Sequence, residues 1–416
     1  MCKKAVFLIA IAFFLSISVL ATPTENILYT FSGGTDGAFP YSGLIADDAG
    51  NLYGTTQQGG DLTDCGGCGT VFELSSSGNG WTKTILYSFT GISDGDGPDG
   101  GLVFDRQGNL YGTTTRGNNA GTVYELSPSN GGWTETVLYR FGYTDGYFPT
   151  STLIFDKKGN LYGTTEAGGG QGSGPECVSG CGTVFELSPT DSGWKEAVLY
   201  RFTGASDGAN PLGSLVMDAA GNLYGTTLAA GNFKPYCGFV GCGVVFELTP
   251  SDNSWAETVL HEFSARDGGL PFAGLTFDGK GNLFGTAEIG GTHGDGVVYE
   301  LSRSASVWTE NVIYSFCAET KCKDGTAPES PVTFDGKGNI YGTTYGGGTG
   351  YGTVFKLFNN NGVWTRIGSY AFNGSDGGDI PTGGVLLMNG FLFGTTYHGG
   401  NTQACGGCGV VYQLAQ

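Results

Sequence analysis

The stretch GNLYGTT at residues 50–56 returns letter for letter at 108–114, 159–165 and 221–227. Near-copies follow as GNLFGTA at 281–287, GNIYGTT at 338–344 and GFLFGTT at 390–396. Seven copies spaced 51–62 residues apart mark a repeat architecture rather than a string of separate globular domains. Three further segments surround each copy. In the second repeat they are GLVFD (101–105), GTVYEL (121–126) and WTETVLYRF (133–141). All are short, rich in Val, Leu, Tyr, Phe and Thr, and bounded by Gly, Asn, Asp or Ser, which is strand chemistry. Between the first two segments stands DRQGN, or DDAGN, DKKGN, DAAGN and DGKGN in other copies. Asp opens such a turn with its side chain and Gly-Asn supplies positive φ, so a hairpin is expected there. No apolar period of 3.6 residues is sustained past the N-terminus, so almost no helix is expected. Four strands in meander order per repeat predict one blade of a β-propeller, since a solenoid coil needs only about 20–30 residues.

The count of segments predicts how the ring closes. NILYTF at 26–31 is a fourth-strand segment that precedes every other element, and the last segment, GVVYQL at 409–414, has no fourth strand after it. The N-terminal strand therefore completes blade seven and removes the open sheet edges that invite aggregation. Trp81, Trp133, Trp194, Trp255, Trp308 and Trp364 each open one of the six other fourth strands. The fold class expected is all-β: a seven-bladed propeller of four-stranded antiparallel blades spanning residues 22–416 as one domain.

Residues 1–21 read differently. Lys3 and Lys4 precede the apolar run AVFLIAIAFFLSISVL, and small residues at VLA (19–21) fit signal-peptidase cleavage. A signal peptide is expected, and no later run approaches the ~20 apolar residues of a membrane span. The chain carries 38 acidic against 19 basic side chains, a net charge of −19. Such a surface repels phosphate backbones and anionic membranes, so nucleic acid is not expected as a partner. Ten of the eleven cysteines form five close pairs: Cys65/Cys68, Cys177/Cys181, Cys237/Cys242, Cys317/Cys322 and Cys405/Cys408. On an exported chain they read as local disulfides. The alternatives are a redox CGGC, which lacks the helix that activates such thiols, and zinc held between loops of different blades.

The pattern GLIFD…GNLYGTT…GG…GTVFELSP…WTETVLYSF, followed by SDGA and Pro, resembles the GloVer-type tandem-repeat family of secreted bacterial proteins, over nearly the whole chain. The strand order is also similar to that of NHL-type propellers. The family resemblance implies export and a propeller-like repeat, and it brings no catalytic residues. Such proteins often carry a C-terminal anchoring tail, whereas this sequence stops at VVYQLAQ. Free secretion or a periplasmic location, as a monomer, is therefore the expectation.

Residues common to all blades are scaffold, so function is sought where copies differ. The loops between second and third strands run 12, 6, 16, 15, 8, 7 and 12 residues, while the loops between third and fourth strands are uniform. All the irregularity falls on one face, and loops on a rigid frame are where binding resides. Four of the cysteine pairs lie in these variable loops, and Cys317/Cys322 lies in a blade-to-blade loop of the same face. That face carries Tyr143, Tyr147, Phe233, Tyr236, Phe239, Tyr345, Tyr351 and Tyr397, able to stack on sugars or anchor a protein, or simply to pin their own loops. An Asp-Gly motif ending in Pro recurs in the blade-to-blade loops, DGAFP (36–40) to DGGDIP (376–381), and reads as an Asp-capped turn. In DGDGPDG, Asp94, Asp96 and Asp99 are candidates for calcium, without the distant Glu of an EF-hand. His261 lies in a fourth strand, and His293 and His398 in loops, with no His pair at metal spacing. No catalytic residue and no cofactor is assigned. The expected function is an extracellular binding module for polysaccharide or protein. The alternatives are a structural envelope protein and a carbohydrate-active lyase or glycosidase. The last would use paired loop carboxylates, with Asp61, Asp64, Glu166, Glu176, Glu288 and Asp295 as the pool.

Overall fold

The computed structural model describes residues 24–416 apart from 79, 118–119, 171, 173–176, 232–236, 238–239, 253, 306, 375–376 and 401–404. The expected signal peptide, Phe233, Tyr236, Phe239 and Glu176 lie outside the described residues. Seven four-stranded antiparallel sheets stand in a ring around a central channel. In blade one the strands run outward from the channel as Ile45–Ala46, Leu52–Thr56, Thr70–Ser77 and Gly80–Ser88. Blade seven is built from Leu386–Met388, Phe391–Thr396 and Val410–Ala415, and its fourth strand is the N-terminal Glu25–Thr30. Closure runs antiparallel from Glu25 opposite Leu414 to Thr30 opposite Val410. Among the described residues there is no α-helix, and no helix is long and apolar enough to cross a membrane.

Each letter of GNLYGTT has a physical task. Asp47 opens the hairpin and accepts hydrogen bonds from the backbone N–H groups of Ala49 and Asn51, the Asn51 side chain and the Tyr53 hydroxyl. Burial works to raise this carboxyl, but those bonds outweigh it and hold the group below its ordinary value. Gly50 supplies φ 85° at the turn. Leu52 and Tyr53 are consecutive and point to opposite faces of the blade. Leu52 packs in a cluster with Phe393 and Val411 of blade seven, Tyr53 in one with Leu110 and Tyr124 of blade two. The core is therefore seven such clusters, one between each pair of neighbouring blades. At every boundary the last Phe of a fourth strand meets a third-strand ring of the next blade edge-to-face, at 5.0–5.3 Å.

The central glycine makes room for that ring. A Cβ on Gly54 would lie 2.8 Å from Cζ of Phe72 and 2.9 Å from Cδ2 of Leu44. The close approach is thus of a side chain onto backbone, not of two backbones. The first Thr donates to a carbonyl where the next blade begins, as Thr226 does to Ala273 at 2.9 Å and Thr395 to Ser42 at 2.8 Å. The second Thr bonds the Thr opening the third strand, Thr56 with Thr70 at 2.8 Å.

The rim of each boundary repeats as well. A fourth-strand Tyr donates to the Asp of the following Asp-Gly motif, as Tyr87 does to Asp94 at 2.9 Å and Tyr200 to Asp207 at 3.1 Å. Facing these pairs from the next blade stand Glu135 and Glu257, with Glu196 facing Asp145 at the boundary between blades two and three. Burial first, and the neighbouring Asp second, push all three glutamates up to about 7.

Two outcomes follow. Gly54→Ala should destabilise the protein by about 1–3 kcal/mol in urea unfolding, because Phe72 and Leu44 must shift to admit a methyl group. A glutamate raised from 4.5 to about 7 adds stability that is full below pH 4.5 and lost as pH rises through 7. Melting temperature should therefore fall as pH rises from about 4.5 to 7, and the triple variant E135Q/E196Q/E257Q should flatten that fall.

Candidate functional site

The turn that carries the chain from one blade to the next also builds the channel mouth. The residue before each motif proline is left-handed: Phe39, Gly97, Phe148, Asn210, Leu270, Ala327 and Ile380 have φ between 51° and 66°. Its N–H donates to the previous blade and its carbonyl accepts from the residue that follows GTT. Thus Phe39 donates to Cys408 O at 2.9 Å and accepts from Gln57 N at 3.0 Å, and Leu270 donates to Cys242 O and accepts from Glu288 N. This clamp fixes two side chains per blade at the mouth, one after the proline and one after the second-strand motif.

Those two rings are where the sevenfold pattern breaks. Around the first ring stand Tyr41, Asp99, Thr150, Leu212, Phe272, Glu329 and Thr382, and around the second Gln57, Thr115, Glu166, Leu228, Glu288, Tyr345 and Tyr397. The first ring, with Gln57, Glu166 and Leu228 of the second, borders a cavity of about 890 Å³ at the channel. Blade four contributes an apolar wall of Leu212 and Leu228, extended by Phe272. Blades six, seven and one contribute tyrosines. Tyr397 donates to Gln57 Oε1 at 2.8 Å, stacks on Phe39 at 5.0 Å and meets Tyr41 edge-on at 6.0 Å.

Between those walls sit Asp99 and Glu166 from blades two and three and Glu329 from blade six, with Glu288 of blade five near Glu329. Burial pushes Asp99 up to about 6, against the pull of Gln57, Arg116 and Thr115. Burial and then the charge of Glu288 push Glu329 up to about 7, while Glu166 and Glu288 are raised by burial alone. Burial and the charges of Glu329, Asp99 and Glu166 push the Tyr41 hydroxyl up to about 12. The mouth is thus a negatively charged, partly desolvated seat with hydroxyl and ring surfaces beside it.

Of the residues singled out from the sequence, Glu166 lines the cavity, Glu288 lies within electrostatic reach of Glu329, and Tyr345 within reach of Tyr397. Tyr143 and Tyr147 pair with each other on the rim at 4.8 Å, with Glu166 within electrostatic reach of Tyr147, and Tyr351 lies against Gly374. Asp61 and Asp64 sit on the exposed part of their loop, and Asp295 lies beside the Cys317–Cys322 pair. Tyr41, Asp99 as a mouth residue and Glu329 are missed, although the position after each motif proline holds a different residue in nearly every copy. Asp94, Asp96 and Asp99 do not gather for calcium. Asp94 accepts from Tyr87 and Thr90, Asp96 exchanges backbone bonds with Arg116, and Asp99 faces the channel.

The cysteines pair as expected, but the surroundings of some differ from the expectation. Cys65–Cys68, Cys177–Cys181, Cys237–Cys242, Cys317–Cys322 and Cys405–Cys408 are all bonded as disulfides, which takes them out of the pool of zinc and redox groups. Four of these pairs lie in the loops between second and third strands, as expected, but Cys68 and Cys181 face inward there. Each is only 1% exposed, and each belongs to a blade-boundary core: Cys68 clusters with Val71 and Leu102, Cys181 with Val184 and Phe202. The reason is their position one residue before the glycine that leads into the third strand, Gly69 or Gly182. There the Cys68 carbonyl accepts the clamp bond of Gly97 N at 3.0 Å, and the Cys181 carbonyl that of Asn210 N at 2.9 Å. Cys68 and Cys181 are therefore scaffold residues that tie a variable loop to the core, not part of a recognition surface.

The profile of the Gloeobacter/Verrucomicrobia repeat matches residues 17–177, 176–323 and 235–416. The chain belongs to that repeat family. No curated protein matches it in sequence. Among solved structures it is similar to a Bacteroides uniformis protein provisionally assigned as a 6-phosphogluconolactonase. That likeness has TM-score 0.54 at 14% identity and covers 83% of this chain and 88% of that one. It is also similar to a provisionally assigned glucose dehydrogenase of Thermus thermophilus, with TM-score 0.44 at 13% identity over 94% and 99% of the two chains. At such identity these likenesses concern the fold alone.

The clamp itself can be tested. Ala327 holds φ 51° without a large side chain to pack. Ala327→Gly should raise stability by roughly 0.5 kcal/mol in urea unfolding, relief of left-handed strain exceeding the added freedom of the unfolded chain.

Proposed function

We propose that this protein is an extracellular binding module that seats a neutral or cationic polyhydroxylated ligand, such as a polysaccharide segment, at the channel mouth. The observation that carries the reading is the pair of residue rings in which almost every blade differs, on a frame where nearly everything else repeats. Carboxylates there can accept hydrogen bonds from sugar hydroxyls, and Tyr41, Tyr345 and Tyr397 offer ring faces. Four carboxylates make an anionic ligand a poor fit. Five disulfides and the absence, among the described residues, of a membrane-crossing helix fit an exported protein.

One observation favours a second reading. Burial and then the charge of Glu288 push Glu329 up to about 7, so it can hold a proton at neutral pH beside a second carboxyl. That is the distribution a glycosidase or lyase needs in an acid and its partner.

A binding screen of residues 22–416 against a polysaccharide array, with product analysis of each hit, separates the two. Saturable binding without cleavage is expected, weakened about tenfold or more by Tyr41→Ala combined with Tyr397→Ala. Equal affinity in that variant would remove the mouth as the seat. Cleavage lost in Glu329→Gln would move the protein to the enzyme reading.

A further inference from the structure

We propose that the boundary between blades four and five is a metal site, in which His261, Asp267 and Glu310 bind one first-row divalent cation. The repeat breaks at this boundary. At the corresponding position the other six fourth strands carry Tyr29, Tyr87, Tyr139, Tyr200, Tyr314 and Tyr370, each donating its hydroxyl to a carboxylate. The strand Ser254–Glu262 carries His261 instead. A phenol offers the facing carboxylate a proton and nothing more. An imidazole offers a lone pair that a transition metal prefers.

The geometry fits a small cation. One ligating atom from each of His261, Asp267 and Glu310 lies within 4.8 Å of the other two, and Nε2 of His261 is 3.4 Å from Oδ2 of Asp267. An ion about 2.0–2.2 Å from nitrogen and oxygen ligands draws them to separations of this order. The ligating atoms are also free for it. Oδ1 of Asp267 accepts from the N–H and the hydroxyl of Ser264, which turns Oδ2 toward the imidazole. Nε2 of His261 and Oε1 of Glu310 are buried without a well-formed hydrogen bond. Facing Asp/Glu pairs at other boundaries hold without a cation, but here an imidazole lone pair stands beside the two carboxylates, and a bound cation would offset their charge. At the boundary before blade one, Lys83 supplies a positive charge to Asp36, and on the outer strand of blade six, Arg366 supplies one to Glu319. No Lys or Arg forms an ion pair with Asp267 or Glu310 among the described residues.

One imidazole and two carboxylates suit zinc, manganese or cobalt better than calcium, which takes oxygen ligands alone. His261 and Asp267 follow one another along the end of blade four, and Glu310 stands on the last strand of blade five. The ion would therefore tie two blades together, independently of the channel mouth.

The test uses residues 22–416 stripped with EDTA and titrated with Zn²⁺ by calorimetry, with Co²⁺ visible absorption and thermal unfolding as separate readouts. One ion per chain, d–d bands of a four- or five-coordinate Co²⁺ site and a higher melting temperature with Zn²⁺ are expected. His261→Tyr recreates the Tyr200, Asp207 and Glu257 arrangement of the preceding boundary, so it should fold. It should also lose at least tenfold in Zn²⁺ affinity together with the Co²⁺ spectrum, and Glu310→Gln should weaken both. Absence of saturable Zn²⁺ binding below about 100 µM would overturn the proposal. So would unchanged binding in His261→Tyr, which would place the ion at His293 or His398.

Discussion

A single residue in an unfavourable backbone conformation holds each blade to the next. The residue before the motif proline sits in the left-handed region even where it is Phe, Leu or Ile. Each such residue costs on the order of 1–3 kcal/mol unless its surroundings fix it. What fixes it is a pair of backbone hydrogen bonds reaching in two directions, back to the preceding blade and forward to the hairpin of its own. The proline then packs on the glycine that opens a third strand in the preceding blade, as Pro98 does against Gly69. The same contact recurs at all seven boundaries, from Pro40 against Gly409 to Pro381 against Gly352. It also places the mouth side chains on backbone that is bonded on both sides, which is the rigidity a recognition site requires.

The molecule thus divides its residues by task. Positions that repeat serve the ring: Leu and Tyr for the two neighbouring boundaries, Gly for the ring packed upon it, Thr for the next blade's carbonyl. Positions that vary at a fixed register face the channel. Because both kinds alternate within a few residues of each other, a site of low symmetry is carried on a frame of high symmetry without long insertions. The rim of the boundary between blades four and five departs in the same way, by one exchange of Tyr for His at a repeated place.

The fold was legible because its signals are local and repeated. Hairpin turns, strand lengths, the count of seven and the displaced NILYTF segment all lie in plain order along the chain, and the ring follows from them. The role of the motif glycine was not legible, since nothing in GNLYGTT indicates that Phe72 will lie over Gly54. Nor was the burial of Cys68 and Cys181, because the spacing of a cysteine pair reports on the bond and not on what packs around it. The candidate site was legible in part. Loop-length variation pointed to the face on which the channel mouth opens, where Glu166, Glu288, Tyr345 and Tyr397 stand. It also drew attention outward to the long loops, away from Tyr41 and Glu329, which sit in short uniform turns. Those residues are 288 positions apart in the sequence, and only closure of the ring puts them around one opening. Likewise His261 and Glu310 belong to different repeats, so their meeting depends on how far one blade leans on the next.

The closure strand has a consequence for how the molecule comes to exist. Glu25–Thr30 is the first described strand, and its partner Val410–Ala415 is the last. During synthesis or export the leading strand emerges with a bare edge and no partner, while blades one to six can already hairpin locally. The ring closes only when the trailing strand arrives, so closure joins the first and last described strands. Until then the open sheet edge is a place where a second copy could insert its own strand, making quality control of this protein a matter of timing as much as of stability.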